Sequence, residues 1–283
     1  MKNKIALAML FLLFLTSCDI SPRQNVLRIG YMDYSFDRSV VHVLKGILDQ
    51  QPSLDVQLLM VPDSTMFRQL STGELDIGIS AWMPVTHKHY FDLYPYEISN
   101  YSMIVDSLGV YLAVPEYLEI DRISELRNYA SSLNNTIFVP DGNNAVYEFA
   151  KDLIEDYNLV DFRLHESTFD NIMYFVEESL RENIPFAIVT IRPHHSFKKY
   201  GLKILTDTRH SFGDFEQAYI VVNSNVPEKM PVIADFLAQI RFTLSDIEEL
   251  MELNQVLGTE LYENALRWIS QNTRRINTWL LGN

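Results

Sequence analysis

The sequence predicts an α/β protein organised as two lobes, and three observations carry that prediction. Short apolar runs of β type alternate with amphipathic helical stretches, which is the rhythm of parallel strand–helix–strand units. The rhythm runs to about residue 80 and restarts near residue 110, so there are two α/β sets and not one long one. Residues 230–283 then show mostly helical spacing, with two late tryptophans, Trp268 and Trp279.

Taken in order, residues 26–31 read as a first strand, 39–50 as a helix and 55–60 as a second strand. A short helix starts at residues 63–70, with Asp63 or Ser64 as its N-cap and Gly73 as its stop. Residues 75–80 form a third strand. In the second set, 110–114 is a strand ending at Pro115, 124–129 a short helix and 136–139 a strand. A long helix over 143–157, a brief strand over 162–164, a helix over 169–183 and a buried strand over 186–190 follow. Residues 219–222 add one more strand before the helical tail.

The N-terminus carries an address. Lys2 and Lys4 precede an apolar run over 5–15, closed by Leu15-Thr16-Ser17-Cys18. Eleven apolar residues fall short of the roughly 20 that a spanning helix needs. Charge, apolar run and small residues before a cut site are the layout of a signal peptide. Its end resembles the bacterial lipobox, which implies a signal over 1–17, a lipidated Cys18 and a polar tether to residue 26. Lipid on Cys18 would hold the protein on the outer, periplasmic face of the cytoplasmic membrane without a spanning helix, and Asp19 points to retention there. Cys18 is the only cysteine, so it has no disulfide partner within the chain.

Composition excludes several classes. A net charge of −14 argues against nucleic acid, which demands Lys/Arg patches. No G-x-S-x-G, H-E-x-x-H or P-loop pattern occurs, so neither an enzyme nor a self-powered pump is expected. His87-Lys88-His89 and His194-His195 invite a metal reading. A His-x-His pair on a helix points to different faces and no carboxylates complete a ligand set, so solvated histidines, no metal and no cofactor are expected.

Several collinear segments then resemble the substrate-binding proteins of glycine betaine and choline ABC importers. Asp76-Ile77-Gly78-Ile79-Ser80-Ala81-Trp82-Met83-Pro84-Val85-Thr86-His87 resembles that family's D-x-x-x-x-x-W-x-P-x-x-H signature. Residues 109–115 followed by Ile123-Ser124-Glu125-Leu126, the turn Pro140-Asp141-Gly142-Asn143-Asn144, and Ile276-Asn277-Thr278-Trp279-Leu280 follow in the family's order. The resemblance implies a bilobal type II periplasmic-binding fold. Lobe one is expected over 27–111 plus 210–283, and lobe two over 112–209, joined by a two-crossing hinge. It also implies a monomer that captures a small quaternary ammonium or zwitterion and delivers it to a permease driven by a partner ATPase. The alternative is a lipoprotein sensor, or a binder of a non-quaternary amine or amino acid, without transport.

A quaternary ammonium has no N–H to donate, so proteins hold it on aromatic faces, at about 0.5–2 kcal/mol per contact. The resemblance places Trp82 in such a cage. Tyr31, Asp33 and Tyr34 follow the first strand at its carboxyl end, where α/β sheets bind ligands. The tyrosines are candidate walls, and Asp33 is either a counter-charge or a helix cap. Asn143 and Asn144 are candidate donors to a carboxylate or hydroxyl tail at a helix N-terminus, or plain caps. Phe242 stands where some relatives have a further cage tryptophan, or is a buried helix phenylalanine. One departure matters most. Ile191, in Thr190-Ile191-Arg192-Pro193-His194-His195, takes the position of a cage tryptophan and offers no ring. Arg192 would read a carboxylate if it faced the cleft, but on a strand it points away from Ile191.

Overall fold

The computed structural model describes residues 25–141 and 144–281. Cys18 with the expected signal and tether, and Asn143, lie outside the described residues.

Three strands open the fold: β1 (Asn25–Tyr31), β2 (Leu54–Met60) and β3 (Ile77–Met83), with β1 parallel to both neighbours. Helices α1 (Ser35–Leu48) and α2 (Asp63–Thr72) connect them, and the short α3 (Lys88–Leu93) follows. The α1 helix starts at Ser35, earlier than the apolar spacing from residue 39 indicates. Its N-cap, Tyr34, makes no side-chain cap bond, so the usual polar start signal is missing. The extra turn carries Phe36 and Asp37 inward. Pro62, not Asp63 or Ser64, is the N-cap of α2, while Asp63 Oδ1 accepts from the Ser64 amide at 2.7 Å. Gly73 ends that helix in the left-handed conformation, φ 75°, as the sequence predicts.

The central element is β4 (Ile98–Pro115), 18 residues long. Only its last part is legible as a strand. Along the first part the register slips at three places against β9 (Glu216–Asn223), and each slip breaks the two-residue alternation by which strands are recognised. Residues up to Leu108 pair with β9. From Gly109 onward the strand pairs antiparallel with β7 (Ile188–Arg192), and at its end with β8 (Leu202–Ile204). β5 (Thr136–Pro140) and β6 (Arg163–Ser167) complete the sheet, whose order is β2-β1-β3-β9-β4-β7-β5-β6 with β8 beside β4. A 3-10 turn (Ile123–Tyr129) and helices α4 (Asn144–Asp156), α5 (Phe169–Arg181) and α6 (Ser196–Tyr200) serve this half. The chain ends in α7 (Val226–Lys229), α8 (Pro231–Gln239), α9 (Leu244–Leu253), α10 (Leu261–Gln271) and α11 (Thr273–Leu281).

Each half of the sheet is covered on both faces, which is why its strands read as apolar runs. On the first half, α1 and α10 pack Val40, Leu44, Ala265 and Trp268 against Leu27, Ile29, Ile77 and Ile79. The opposite face carries Met66, Phe67 and Leu70 of α2 with Leu75. Gly30 and Gly78 are paired across β1 and β3, and a methyl group on either would strike Leu75 or Leu70 at 2.5 and 2.7 Å. On the second half, α4 packs Val146, Ala150 and Leu153 over Ile137, Val139, Leu112 and Val114. α5 packs Ile172 and Val176 against Ala113 and Ile188. Phe212 sits in this second core, past the expected boundary at residue 209. Each wholly buried Leu, Ile or Phe stabilises its half by about 1.5–3 kcal/mol. Among the described residues no helix is long and apolar enough to cross a membrane.

Candidate ligand-binding site

Strands β1 and β3 are paired in parallel; Tyr31 closes β1, and Trp82 lies near the end of β3, which runs on past it. Trp82 is half-buried and held from three sides. Its ring meets Phe36 of α1 edge-on, centroids 6.3 Å apart at 77°. Its indole N–H donates to the Ser80 hydroxyl at 2.8 Å. Its backbone amide donates to His87 Nδ1, also at 2.8 Å. That imidazole nitrogen must therefore be unprotonated, which agrees with burial pushing His87 below the usual histidine range against the pull of Asp63 and Glu216. The loop after Trp82 is pinned to β9, because Glu216 accepts from the Val85 and Thr86 amides at 3.0 and 2.8 Å and from the Thr86 hydroxyl at 2.6 Å. Asp76, at the head of the same motif, accepts from the Arg28 amide at 2.8 Å and ties β3 to β1.

The other expected residues distribute unevenly. Tyr31 is half-buried with its ring edge toward His42, 6.5 Å between centroids. Tyr34 is 64% exposed beside it in sequence, a face open to solvent. Asp33 is exposed and ion-paired with Arg38, so its charge already has a partner. Asn144 is the first residue of α4, which places that helix N-terminus after β5. Ile191 lies near the end of β7 opposite Val110, 37% exposed.

Three expectations need correction. Phe242 is not in a helix but in the connection between α8 and α9, and it is buried in the core. Its amide donates to the Ile104 carbonyl at 2.7 Å, and its ring packs on Trp268 and Trp279 at 5.7 and 4.9 Å. Arg192 does not face a free cleft: both sides of its guanidinium fork are taken by Glu248 of α9. The histidines are not all solvated, since His87 is buried and His194 is half-buried, with Nδ1 accepting from the Ser196 amide at 3.2 Å. Burial, and then His195 beside it, drive His194 down to about 3. Among the described residues no group of three or more His, Cys, Asp or Glu is placed to hold a metal.

Two features were missed by sequence reasoning. Phe215, on the return passage between the lobes, is 47% exposed and stacks on Tyr111, centroids 5.0 Å apart at 14°. A ring in a Gly-Asp-Phe loop carries no periodic signal, so only the tertiary crossing reveals it. Asp37, 1% exposed, accepts from the Met32 amide at 3.0 Å and lies against the Ser80 hydroxyl. Burial pushes its carboxyl up to about 8, against the opposing effect of Met32 and Ser80. A groove of about 690 Å³ lined by Asn25, Leu54, Phe236 and Trp279 lies at the opposite end of β1 from Tyr31, away from this site.

Two α/β lobes joined through one long shared strand, with aromatic rings at the ends of β1 and β3, define a type II periplasmic binding protein. A family profile described as the substrate-binding domain of ABC-type glycine betaine transport systems matches residues 25–271, and the chain belongs to that family. The family consists of transport binding proteins, not enzymes. The chain is 25% identical over 159 residues to a glycine betaine/carnitine transport binding protein of Listeria monocytogenes. That match takes in 55% of this chain and 52% of the relative, so the chain spans about half the length of the curated relative it matches. The fold is that of a lactococcal protein in its closed conformation with glycine betaine, TM-score 0.66 at 24% identity over 90% of this chain and 99% of that one. It is also that of a glycine/betaine/L-proline-binding protein from Borrelia burgdorferi, TM-score 0.63 at 21% identity over 90% and 96%.

Proposed function

We propose that the chain captures glycine betaine, choline or a related small zwitterion or cation between its lobes and delivers it to the permease of an ABC importer. The observation that carries this reading is the placement of Trp82, an indole fixed at the strand ends by Ser80, His87 and Phe36. A methylated ammonium resting on that face gains about 0.5–2 kcal/mol, more as water leaves. Tyr31 and the open ring of Tyr34 supply further walls from the same lobe. The N-terminus of α4 follows β5; its dipole, with Asn143 and Asn144 as candidate donors, would engage the tail of a zwitterion and close the second lobe on the first. A partner ATPase supplies the energy. The protein works as a monomer in the cell envelope, held by lipid on Cys18.

Ile191 favours one second reading. It has no ring where relatives carry one, and its neighbour Arg192 is committed to Glu248. A site with one wall fewer fits a less methylated amine or amino acid, captured for sensing and not for import. Titration calorimetry of residues 19–283 against glycine betaine, choline, carnitine and proline separates the two. Micromolar or tighter binding of one methylated ammonium supports capture for import, and binding of none of them overturns it.

A further inference from the structure

Trp82 is the end of a short buried chain of polar groups. Its indole N–H donates to Ser80 Oγ at 2.8 Å. The Asp37 carboxyl group lies against the Ser80 hydroxyl, which favours its charged form, and Asp37 Oδ2 accepts from the Met32 amide at 3.0 Å. Ser80 is wholly buried and Asp37 is 1% exposed. Ser80 sits at a break in the β3–β9 ladder, where Gly78 pairs with Val221 and Ala81 with Tyr219, so β3 carries one residue more than β9. Its φ of 70° is one that a non-glycine residue adopts only at a cost. The bulge re-aims its side chain, and the hydroxyl it places joins the first turn of α1 to the indole.

Besides holding the Met32 amide, Asp37 stands among apolar neighbours. Its neighbours in α1, Phe36, Val40 and Val41, belong to an apolar core. A carboxyl group there raises the free energy of the fold unless every oxygen has a partner. A buried acid, a left-handed serine and a half-buried indole occur together here because each satisfies the next.

We propose that Asp37 is a positioning residue for Trp82, acting through Ser80 to fix the plane of the indole on which the ligand rests. The inference rests on the reading of Trp82 as a ligand wall. A ring face attracts a cation only while the cation lies over it, and a wall held before the ligand arrives avoids the entropy of ordering it afterwards.

The test uses Ser80→Gly, which removes the hydroxyl while glycine adopts φ 70° without strain. The chain has three tryptophans, hence three indole N–H signals in a nitrogen–proton NMR spectrum, and Trp82→Phe identifies one by its loss. In the ligand-free protein, Ser80→Gly is expected to move the Trp82 signal and speed its exchange with water, leaving those of Trp268 and Trp279 in place. Affinity for glycine betaine or choline, whichever the wild type binds, is expected to fall about tenfold. Asp37→Ala is expected to shift the same signal, and the double variant to lose no more affinity than Ser80→Gly alone. Asp37→Asn serves if Asp37→Ala does not fold, with the same signal moved. A Trp82 signal and affinity unchanged in Ser80→Gly, or unchanged in both Asp37 variants, overturns the inference. Wild-type affinity in Trp82→Ala instead sinks the ligand-wall reading, and the ligand-free spectra still report on the chain of hydrogen bonds.

Discussion

Arg192 at the end of β7 and Glu248 of α9 form a two-pronged ion pair, Nε to Oε1 at 2.5 Å and Nη2 to Oε2 at 2.9 Å. The Glu248 side chain is 4% exposed and that of Arg192 is 25% exposed, while the guanidinium also lies 4.9 Å over the Phe197 ring. The pair therefore joins the end of β7 to α9, a helix packed in the first core.

Removing one member strands a buried charge. Arg192→Met is expected to lower unfolding free energy by about 3 kcal/mol, and adding Glu248→Leu to recover most of it. Urea denaturation of the single and double variants checks this, and equal loss in both would mean that the pair is not buried in solution.

The raised carboxyl of Asp37 sets a pH dependence. Unfolded, the group titrates near 3.8, and folded near about 8, so between those values the folded state binds more protons. Stability is complete below the lower value and is lost as pH rises toward the upper, by up to about 1.4 kcal/mol per pH unit. Thermal melts of wild type and Asp37→Asn from pH 4 to pH 9 are expected to converge at the acid end and to favour the variant at the alkaline end.

His194 acts in the opposite direction. Burial and His195 keep it neutral down to about 3 when folded, against 6.5 in the free side chain. Its contribution is present above 6.5 and is lost as pH falls through that window. His194→Asn, which keeps an acceptor for the Ser196 amide, is expected to retain more stability at pH 4 relative to pH 7 than wild type does.

Gly30 has no room for a methyl group, since Leu75 Cδ1 stands 2.5 Å and Met66 Cγ 3.1 Å from where it would be. Gly30→Ala is expected to cost about 1–3 kcal/mol and to lower Tm. Wild-type melting would show that Leu75 shifts freely.

Ile191 offers a test of the proposed aromatic site. Ile191→Trp is expected to strengthen binding of glycine betaine about tenfold, read by calorimetry. No gain would indicate that another ring, Phe215 or Tyr34 first among them, already fills the place.

By itself the sequence determined the two α/β sets, because strands covered on both faces must be apolar throughout and the helices between them must be amphipathic. It also determined the family, since the Trp82 motif and the segments collinear with it survive as local strings. Only tertiary structure decided which rings and charges have free faces. Phe242 and Trp82 look alike as aromatic residues in a string, yet one is enclosed by Trp268 and Trp279 while the other stands at a strand end. Arg192 and Asp33 read as available charges until Glu248, 56 residues away, and Arg38 are seen to hold them. The first part of β4 was hidden by its register slips. Asp37 was hidden by an uncapped helix start, and its partner Ser80 lies 43 positions on in a different strand. Burial and pairing are properties of contacts between distant segments, and a linear string carries no term for them.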